Sequence, residues 1–545
     1  MTRCGIAIDI GTSGLRCQAL DLDTGVAIST AITNRHPIPG MNVIDHVNHS
    51  IESGQDSGNR LMIDAFNKLL PLLEVDLSEV ERVAVCGNPF QLSLFQNIEI
   101  RDLAYAGRSM LDRMGVKPVK RDGAVVSAED LGLHALGDAE VIIPPAVSHE
   151  IGADALAMLL VTGAMDEKDP CLVIDYGTNA EMALIVDGEI FTGSAAAGPA
   201  LEGQQIEKGM LASPGSISDL SIEDGGWRNF VLDTGFAARP GDIIDPTDGR
   251  VVLKGEMHGS VKGITGTGVI AAVSCGMESG LMAVPNINTP DQKAHLQEDV
   301  WLSPRDIEEA GKAIGAIRAG YLTLMREAGI WVGDVAKSYM SGAAGLYVDA
   351  LKAQRIGLVS PGSTEIIQFG NTSLVLARRL VMGLEDLDGL RDFANRLRAK
   401  HCMFATSEAF KDIYSIELSL WSYGMPASAY NDMLDIYKLP HIPSVTAKAD
   451  VNRMVIRDIP DADKHEVVIL DDPGVMLCGE MPDCVMCGKC TEICPEAAIS
   501  VDDSSGIPVA NVNTGRCAGT ACKRCELNCP VKAIVLRRLN PCTVS

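Results

Sequence analysis

Eight of the sixteen cysteines fall into two runs of nearly one form, Cys484-x2-Cys487-x2-Cys490-x3-Cys494-Pro495 and Cys517-x4-Cys522-x2-Cys525-x3-Cys529-Pro530. A run that closes on Cys-Pro gives three thiolates to one 4Fe-4S cube, and its fourth cysteine crosses to another cube. The spacing therefore predicts two clusters, one on Cys484, Cys487, Cys490 and Cys529, the other on Cys517, Cys522, Cys525 and Cys494. Zinc would also accept Cys-x2-Cys pairs, but a third cysteine and then a Cys-Pro follow in both runs. The x4 gap sets the second loop apart from the simplest ferredoxin spacing. Cys478 and Cys542 lie outside both runs and read as spare thiols.

A second chemistry is written twice. Ile6-Ala-Ile-Asp9-Ile-Gly11-Thr12-Ser13-Gly14-Leu-Arg16 reads as a strand, a tight polar turn and a returning strand. The same hairpin recurs as Leu172-Val-Ile-Asp175-Tyr-Gly177-Thr178-Asn179-Ala-Glu181, and its far end closes on Asp187-Gly188, a hairpin-turn pair. In such a turn glycine lets the backbone approach an anion, amides and hydroxyls donate to phosphate oxygens, and aspartate organises hydrated Mg2+. One Asp-x-Gly-Thr alone is more often a plain turn. Two on matching hairpins predict two related halves that together clamp a nucleotide, with Asp9 and Asp175 at Mg2+ and Gly11, Thr12, Ser13, Gly177, Thr178 and Asn179 at the phosphates.

Two later glycine-rich turns fit the same task. Gly263-Ile-Thr-Gly266-Thr-Gly268 opens an apolar helix, and Ser341-Gly342-Ala343-Ala344-Gly345 follows the strand expected over 335–340. Gly266, Gly268, Ser341 and Gly342 are the expected contacts for the rest of the nucleotide, although tight strand-to-helix packing also explains such small residues. A dinucleotide fingerprint is disfavoured at Gly266, because neither a clear preceding strand nor an acidic residue about 20 positions on is present. Asn371 or Thr372 reads as a simple cap of one more helix.

Taken in order, these motifs resemble the superfamily of actin, sugar kinases and heat-shock ATPases. Cys86-Gly87-Asn88-Pro89, Ile151-Gly152-Ala153-Asp154-Ala155, Ala195-Ala-Ala-Gly198-Pro199-Ala200-Leu201-Glu202-Gly203 and Ser341-Gly342-Ala343 further resemble the ATP-dependent reductive activators of corrinoid proteins, over roughly residues 3–445. That resemblance implies ATP-driven return of a corrinoid cobalt from Co(II) to Co(I), with Asp154 orienting the attacking water. It also implies corrinoid proteins of methylamine methyltransferases as partners in methanogenesis, and a low-potential donor such as a ferredoxin. Many members carry an N-terminal 2Fe-2S domain; here a C-terminal two-cluster module stands instead.

The elements that position these residues follow. The fold class expected is α/β, a two-lobed actin/sugar-kinase-like ATPase body with a small C-terminal bacterial-type ferredoxin domain. Residues 1–147 form the first half, 148–445 the second half with insertions, 446–477 a connector with a strand-like 466–470, and 478–545 the ferredoxin domain. The stretch 304–328 reads as an amphipathic helix. No ligand-like histidine spacing is present.

The net charge of −26 argues against nucleic acid and anionic membranes as partners. The segment from Cys478 onward is neutral, so the body carries the whole excess. The other six cysteines are scattered, and neither an apolar leader nor a membrane-length apolar run is apparent, which predicts a soluble cytoplasmic protein. Two readings compete: a small-molecule kinase of the same fold, whose product needs no electrons, and an activator of a radical dehydratase, which generally holds one cluster at a dimer interface.

Overall fold

The computed structural model describes residues 3–542 apart from 41, 106–107, 197–202, 204, 443–448, 463, 471, 474, 495, 505, 518 and 520–521. The chain forms two units, one of Met1–Ala157, Ser373–Arg396 and Ile459–Ser545, the other of Met158–Thr372 and Leu397–Asp458.

The first unit is built on a seven-stranded sheet in the order Val467–Leu470, Ala27–Thr33, Gly14–Asp21, Cys4–Gly11, Val80–Gly87, Glu140–Ile143, Ala124–Ser127. Cys4–Gly11 lies at its centre, antiparallel to Gly14–Asp21 and parallel to Val80–Gly87. Ile6, Ile8 and Ile10 are buried, and so are Ala7 and Asp9, as a strand covered on both faces requires.

The second unit repeats this plan. Its six-stranded sheet runs Asp450–Arg453, Glu365–Gln368, Lys337–Ser341, Cys171–Tyr176, Ala180–Val186, Glu189–Ala195. The hairpin Cys171–Tyr176/Ala180–Val186 again has an antiparallel strand on one side and a parallel one on the other. Asp187 and Gly188 turn the chain with φ of 50° and 79°, the left-handed pair that a two-residue hairpin demands. The stretch 446–477 gives a strand to each sheet: Asp450–Arg453 pairs with Glu365–Gln368 in the second unit, and Val467–Leu470 pairs with Ala27–Thr33 in the first.

Helix Pro304–Ala328 matches the expected amphipathic stretch and begins with a capping box between Ser303 and Asp306. Its Arg318 is fully buried and donates to Glu417 at 2.9 Å, to Tyr321 and to the Pro440 carbonyl. Losing either partner would strand a buried charge. Among the described residues no helix is long and apolar enough to cross a membrane.

The C-terminal module packs within the first unit. Its sheet runs Ile499–Asp502, Val509–Asn513, Met476–Glu480, Asn540–Pro541. Cys478 and Cys542, expected to be spare, instead form a disulfide across adjacent strands, because pairing of Cys478 with Asn540 brings position 542 alongside. The module rests on the Asn34–Glu52 region: the Gly40 amide donates to the Cys517 carbonyl at 3.3 Å, Lys523 pairs with Glu52 at 3.2 Å and Arg35 with Glu496 at 3.6 Å.

Candidate functional site: phosphate hairpins and paired cysteine sites

In the first unit the turn Gly11-Thr12-Ser13-Gly14 is held from the returning strand. The register sets Arg16 opposite Asp9. Its guanidinium donates to Asp9 Oδ2 at 3.3 Å, to the Gly14 carbonyl at 3.3 Å and to Ser13 Oγ at 3.4 Å. A Cβ on Gly11 would stand 2.4 Å from Arg16 Nη1, so glycine is required there for the cation to lie along the turn.

Behind the turn, Cys86 stands beside Asp9 on the neighbouring strand, and Asn88 caps helix Pro89–Phe95. Gly152 fits against Gly87 and Pro89, where a Cβ would meet Pro89 Cδ at 2.7 Å. This brings in Asp154, whose Oδ1 accepts from the Gly152 and Ala155 amides at 3.0 and 2.9 Å. Burial first, and then the charge of Asp9, push the Asp154 carboxyl up to about 6. Burial and the charges of Asp9 and Asp154 likewise keep the Cys86 thiol protonated.

In the second unit Asp175 Oδ2 accepts from Ser341 Oγ at 2.8 Å and Thr372 Oγ1 at 3.5 Å. Gly342 has φ of 82°, and a Cβ there would lie 2.8 Å from Asp175 Oδ1. Thr178 is buried in the turn with Gly177 and Asn179 beside it. A narrow apolar crevice lined by Tyr176, Gly266, Thr267, Met340, Ala344 and Leu358 adjoins these residues. The structure thus brings Asp175, Gly177, Gly266, Ser341 and Gly342 into one neighbourhood. Gly268 is closely packed: its amide donates to Thr265 Oγ1 at 3.1 Å, and a Cβ would clash with the Ile217 carbonyl at 2.4 Å. A two-residue strand, Gly263–Ile264, does precede this helix, contrary to the sequence expectation; it is too short to read from periodicity.

The cysteines gather in the crossed sets. Cys484, Cys487, Cys490 and Cys529 line one open cavity of about 140 Å³ with Met481, Val485, Met486 and Val531 among its walls. The other set is coupled electrostatically. Burial first, then Cys517, Cys522 and Cys494, push the Cys525 thiol up to about 12; burial, Cys494 and Cys522 push Cys517 up to about 11. The two Cys-Pro corners match: the Ala498 amide donates to Cys494 Sγ at 3.3 Å and the Ala533 amide to Cys529 Sγ at 3.2 Å. Such N–H···S bonds favour the thiolate and help set a cluster's potential. Thiolates spaced around a cavity suit a cube; among the described residues no three groups converge tightly enough to hold a single metal ion.

Comparison with known proteins bears on all three parts. Models described as the RACo middle region and the C-terminal domain of RACo, the ASKHA domain, match residues 4–168 and 169–431, and a 4Fe-4S dicluster domain matches 483–533. The [Co(II) methylated amine-specific corrinoid protein] reductase of Methanosarcina barkeri is 46% identical over 95% of each chain. The chain belongs to the reductive activators of corrinoid proteins. The corrinoid activation enzyme RamQ of Eubacterium limosum is 24% identical over 75% of this chain and 69% of its own. A solved reductive activator for corrinoid, iron-sulfur protein shares the fold, with a TM-score of 0.61 and 21% identity over 77% of this chain and 68% of that one. This activator therefore combines an actin/sugar-kinase-like ATP-binding body with two 4Fe-4S clusters.

Sequence reasoning missed two features of the activator. Arg16 was visible in the hairpin, but its role depends on cross-strand register. His36, His46 and His49 converge in the first unit, all buried, with His36 and His46 rings stacked at 4.2 Å and Gln91 bonded to His46 at 3.0 Å. Their spacing carries no ligand signal. The Ala195–Gly203 segment of the family resemblance lies mostly outside the described residues.

Proposed function

We propose that this chain is a cytoplasmic, ATP-hydrolysing iron-sulfur activase that returns the corrinoid of methylamine methyltransferase systems from Co(II) to Co(I). The carrying observation is that the crossed cysteine sets sit on the same unit as one phosphate hairpin. The relatives' names supply the substrate class.

The reading assigns Asp9 and Asp175 to Mg2+, Arg16 with Thr12 and Ser13 to phosphate oxygens, and Thr178 and Asn179 to the same task in the second hairpin. Asp154 orients the attacking water. Cys484, Cys487, Cys490 and Cys529 hold one cluster, and Cys494, Cys517, Cys522 and Cys525 the other. 4Fe-4S clusters, when bound, supply low-potential single-electron transfer. A step a few hundred millivolts uphill is unfavourable by many decades, since each 59 mV is tenfold for one electron. Nucleotide-driven movement of the protein answers that need by changing the bound corrinoid protein, for instance by drawing off a lower cobalt ligand. A kinase would leave the cysteine module without a task.

The decisive experiment is anaerobic. With a low-potential reductant, the Co(II) spectrum of a methylamine-type corrinoid protein should give way to Co(I) when activator and ATP are both present. Equal conversion without ATP would refute the coupling. A pH profile tests Asp154: orientation by a carboxylate needs the ionised form, so ATP turnover should fall as pH drops through about 6, where burial and Asp9 place its titration. Asp154→Asn should flatten that limb; a flat wild-type profile across this range would remove Asp154 from the reaction.

A further inference from the structure

A continuous series of contacts within the first unit joins the Asp9 hairpin to the second cysteine run. Gly87 lies against the strand that leads into the hairpin turn, where a Cβ would stand 2.9 Å from the Ile10 carbonyl, and Asn88 then caps helix Pro89–Phe95. In the first turn of that helix the buried Gln91 donates from Nε2 to His46 Nδ1 at 3.0 Å. The His46 ring stacks on His36 and packs against Gly40, where a Cβ would stand 3.1 Å from it. Gly40 donates to the Cys517 carbonyl, and a Cβ on Gly519 would lie 2.9 Å from the Pro39 carbonyl. Helix Val43–Glu52, which carries His46, ends on Glu52, the partner of Lys523.

The middle of this series is a polar core with pairing left unmade. Among the described residues, Gln91 Oε1 and the Nε2 atoms of His36 and His49 are buried without a hydrogen-bond partner. Burial holds both rings uncharged, His36 down at about 3 and His49 at about 4. The Ile38 amide donates to His36 Nδ1 at 3.1 Å, so the neutral His36 ring keeps its proton on Nε2. A donor without an acceptor and an acceptor without a donor thus share one core.

We infer that Gln91, His46 and His36 are positioning residues through which nucleotide at the Asp9 hairpin resets the cluster of Cys494, Cys517, Cys522 and Cys525. This rests on the redox function proposed above and adds a second point of action for ATP, on the activator's own cluster. Phosphate and Mg2+ held at Asp9 and Gly11 act on Ile10 and so on Gly87. The Pro89–Phe95 helix then shifts, Gln91 Oε1 accepts from His36 Nε2, and Pro39 and Gly40 move on the second run. Buried polar groups are ordinarily paired, so a core that leaves two unmet in one state and joins them in another is the two-state element that coupling between sites requires. Hydrogen bonding and solvent access around a cluster set its potential. A change in this cover is therefore a change in how readily that cluster is reduced. None of these residues lines the cavity of Cys484, Cys487, Cys490 and Cys529, whose cluster serves as an internal reference.

The test uses full-length, cluster-loaded protein without corrinoid protein, Mg2+ with the non-hydrolysable ATP analogue AMPPNP, and a redox buffer poised where the clusters are partly reduced. Electron paramagnetic resonance reads each cluster, with Cys494→Ala assigning the signals. The analogue should change the ratio of reduced to oxidised cluster at Cys494, Cys517, Cys522 and Cys525 about tenfold, or 59 mV for one electron, and leave the other cluster's ratio in place. Gln91→Leu should cut that change to less than about twofold, with iron content and corrinoid-free ATP turnover as in wild type. If Gln91→Leu alone loses iron, Gln91→Leu with His46→Leu carries the same expectation, because it removes both partners of the bond and strands neither. A wild-type cluster that ignores the analogue would overturn the inference, as would a change that survives both substitutions or appears in the other cluster. If wild-type protein with dithionite, ATP and a methylamine-type corrinoid protein leaves cobalt as Co(II), the redox function fails, while the analogue's effect on the cluster is still read without the corrinoid protein.

Discussion

Asp9→Ala and Asp175→Ala are each expected to lower ATP turnover by about 10²- to 10³-fold, the usual cost of removing one well-placed electrostatic group from phosphoryl transfer. Iron content and the visible absorbance of the cysteine module should not change, because neither carboxylate belongs to the cysteine sets. The two variants should differ in kind. Asp9 is balanced by Arg16 at 3.3 Å, so its removal leaves a cation along the turn, and nucleotide affinity should survive better than turnover. Asp175 accepts from Ser341 and Thr372, and Gly342 closes on it, so its loss loosens three segments and should weaken affinity as well. Asp175→Asn keeps the shape and separates charge from packing. Near-normal ATPase activity in both alanine variants would refute the paired phosphate hairpins.

Anaerobically prepared protein should hold about eight irons and eight sulfides, as two four-iron cubes require. Cys494→Ala and Cys525→Ala should damage one and the same cluster although they come from different runs, and Cys487→Ala and Cys529→Ala the other. The four signatures are read by iron analysis and by electron paramagnetic resonance of the reduced protein. If Cys494→Ala instead reproduces the spectrum of Cys487→Ala, each run holds its own cube and the crossing is wrong.

The cysteine sets were legible because ligand spacing within a run is a local property, and the crossing followed from the Cys-Pro corner. Both hairpins were legible because the chain writes them twice, and the topology repeats around each. What sequence could not supply was partnership across distance. Arg16 meets Asp9 through strand register. His36, His46 and His49 sit together because a loop and a helix fold onto the Gln91 helix. Cys478 and Cys542, separated by 64 positions, are neighbours only once two strands pair. The stretch 466–470 reads as strand-like within the connector and does form a strand, Val467–Leu470, but that it pairs with Ala27–Thr33 at the edge of the first sheet depends on the fold. That Gly268 lies against the Ile217 carbonyl was likewise not legible.

That edge strand has a consequence for reach. From Leu470, fixed in the first sheet, to Met476, where the module's own sheet begins, the chain has six residue steps, which span at most about 20 Å when fully extended. The redox module is held on a short leash, not a swinging arm. It cannot travel to a remote acceptor, so the corrinoid protein must bring its cobalt to the module, and lengthening this leash should cost efficiency without altering either cluster.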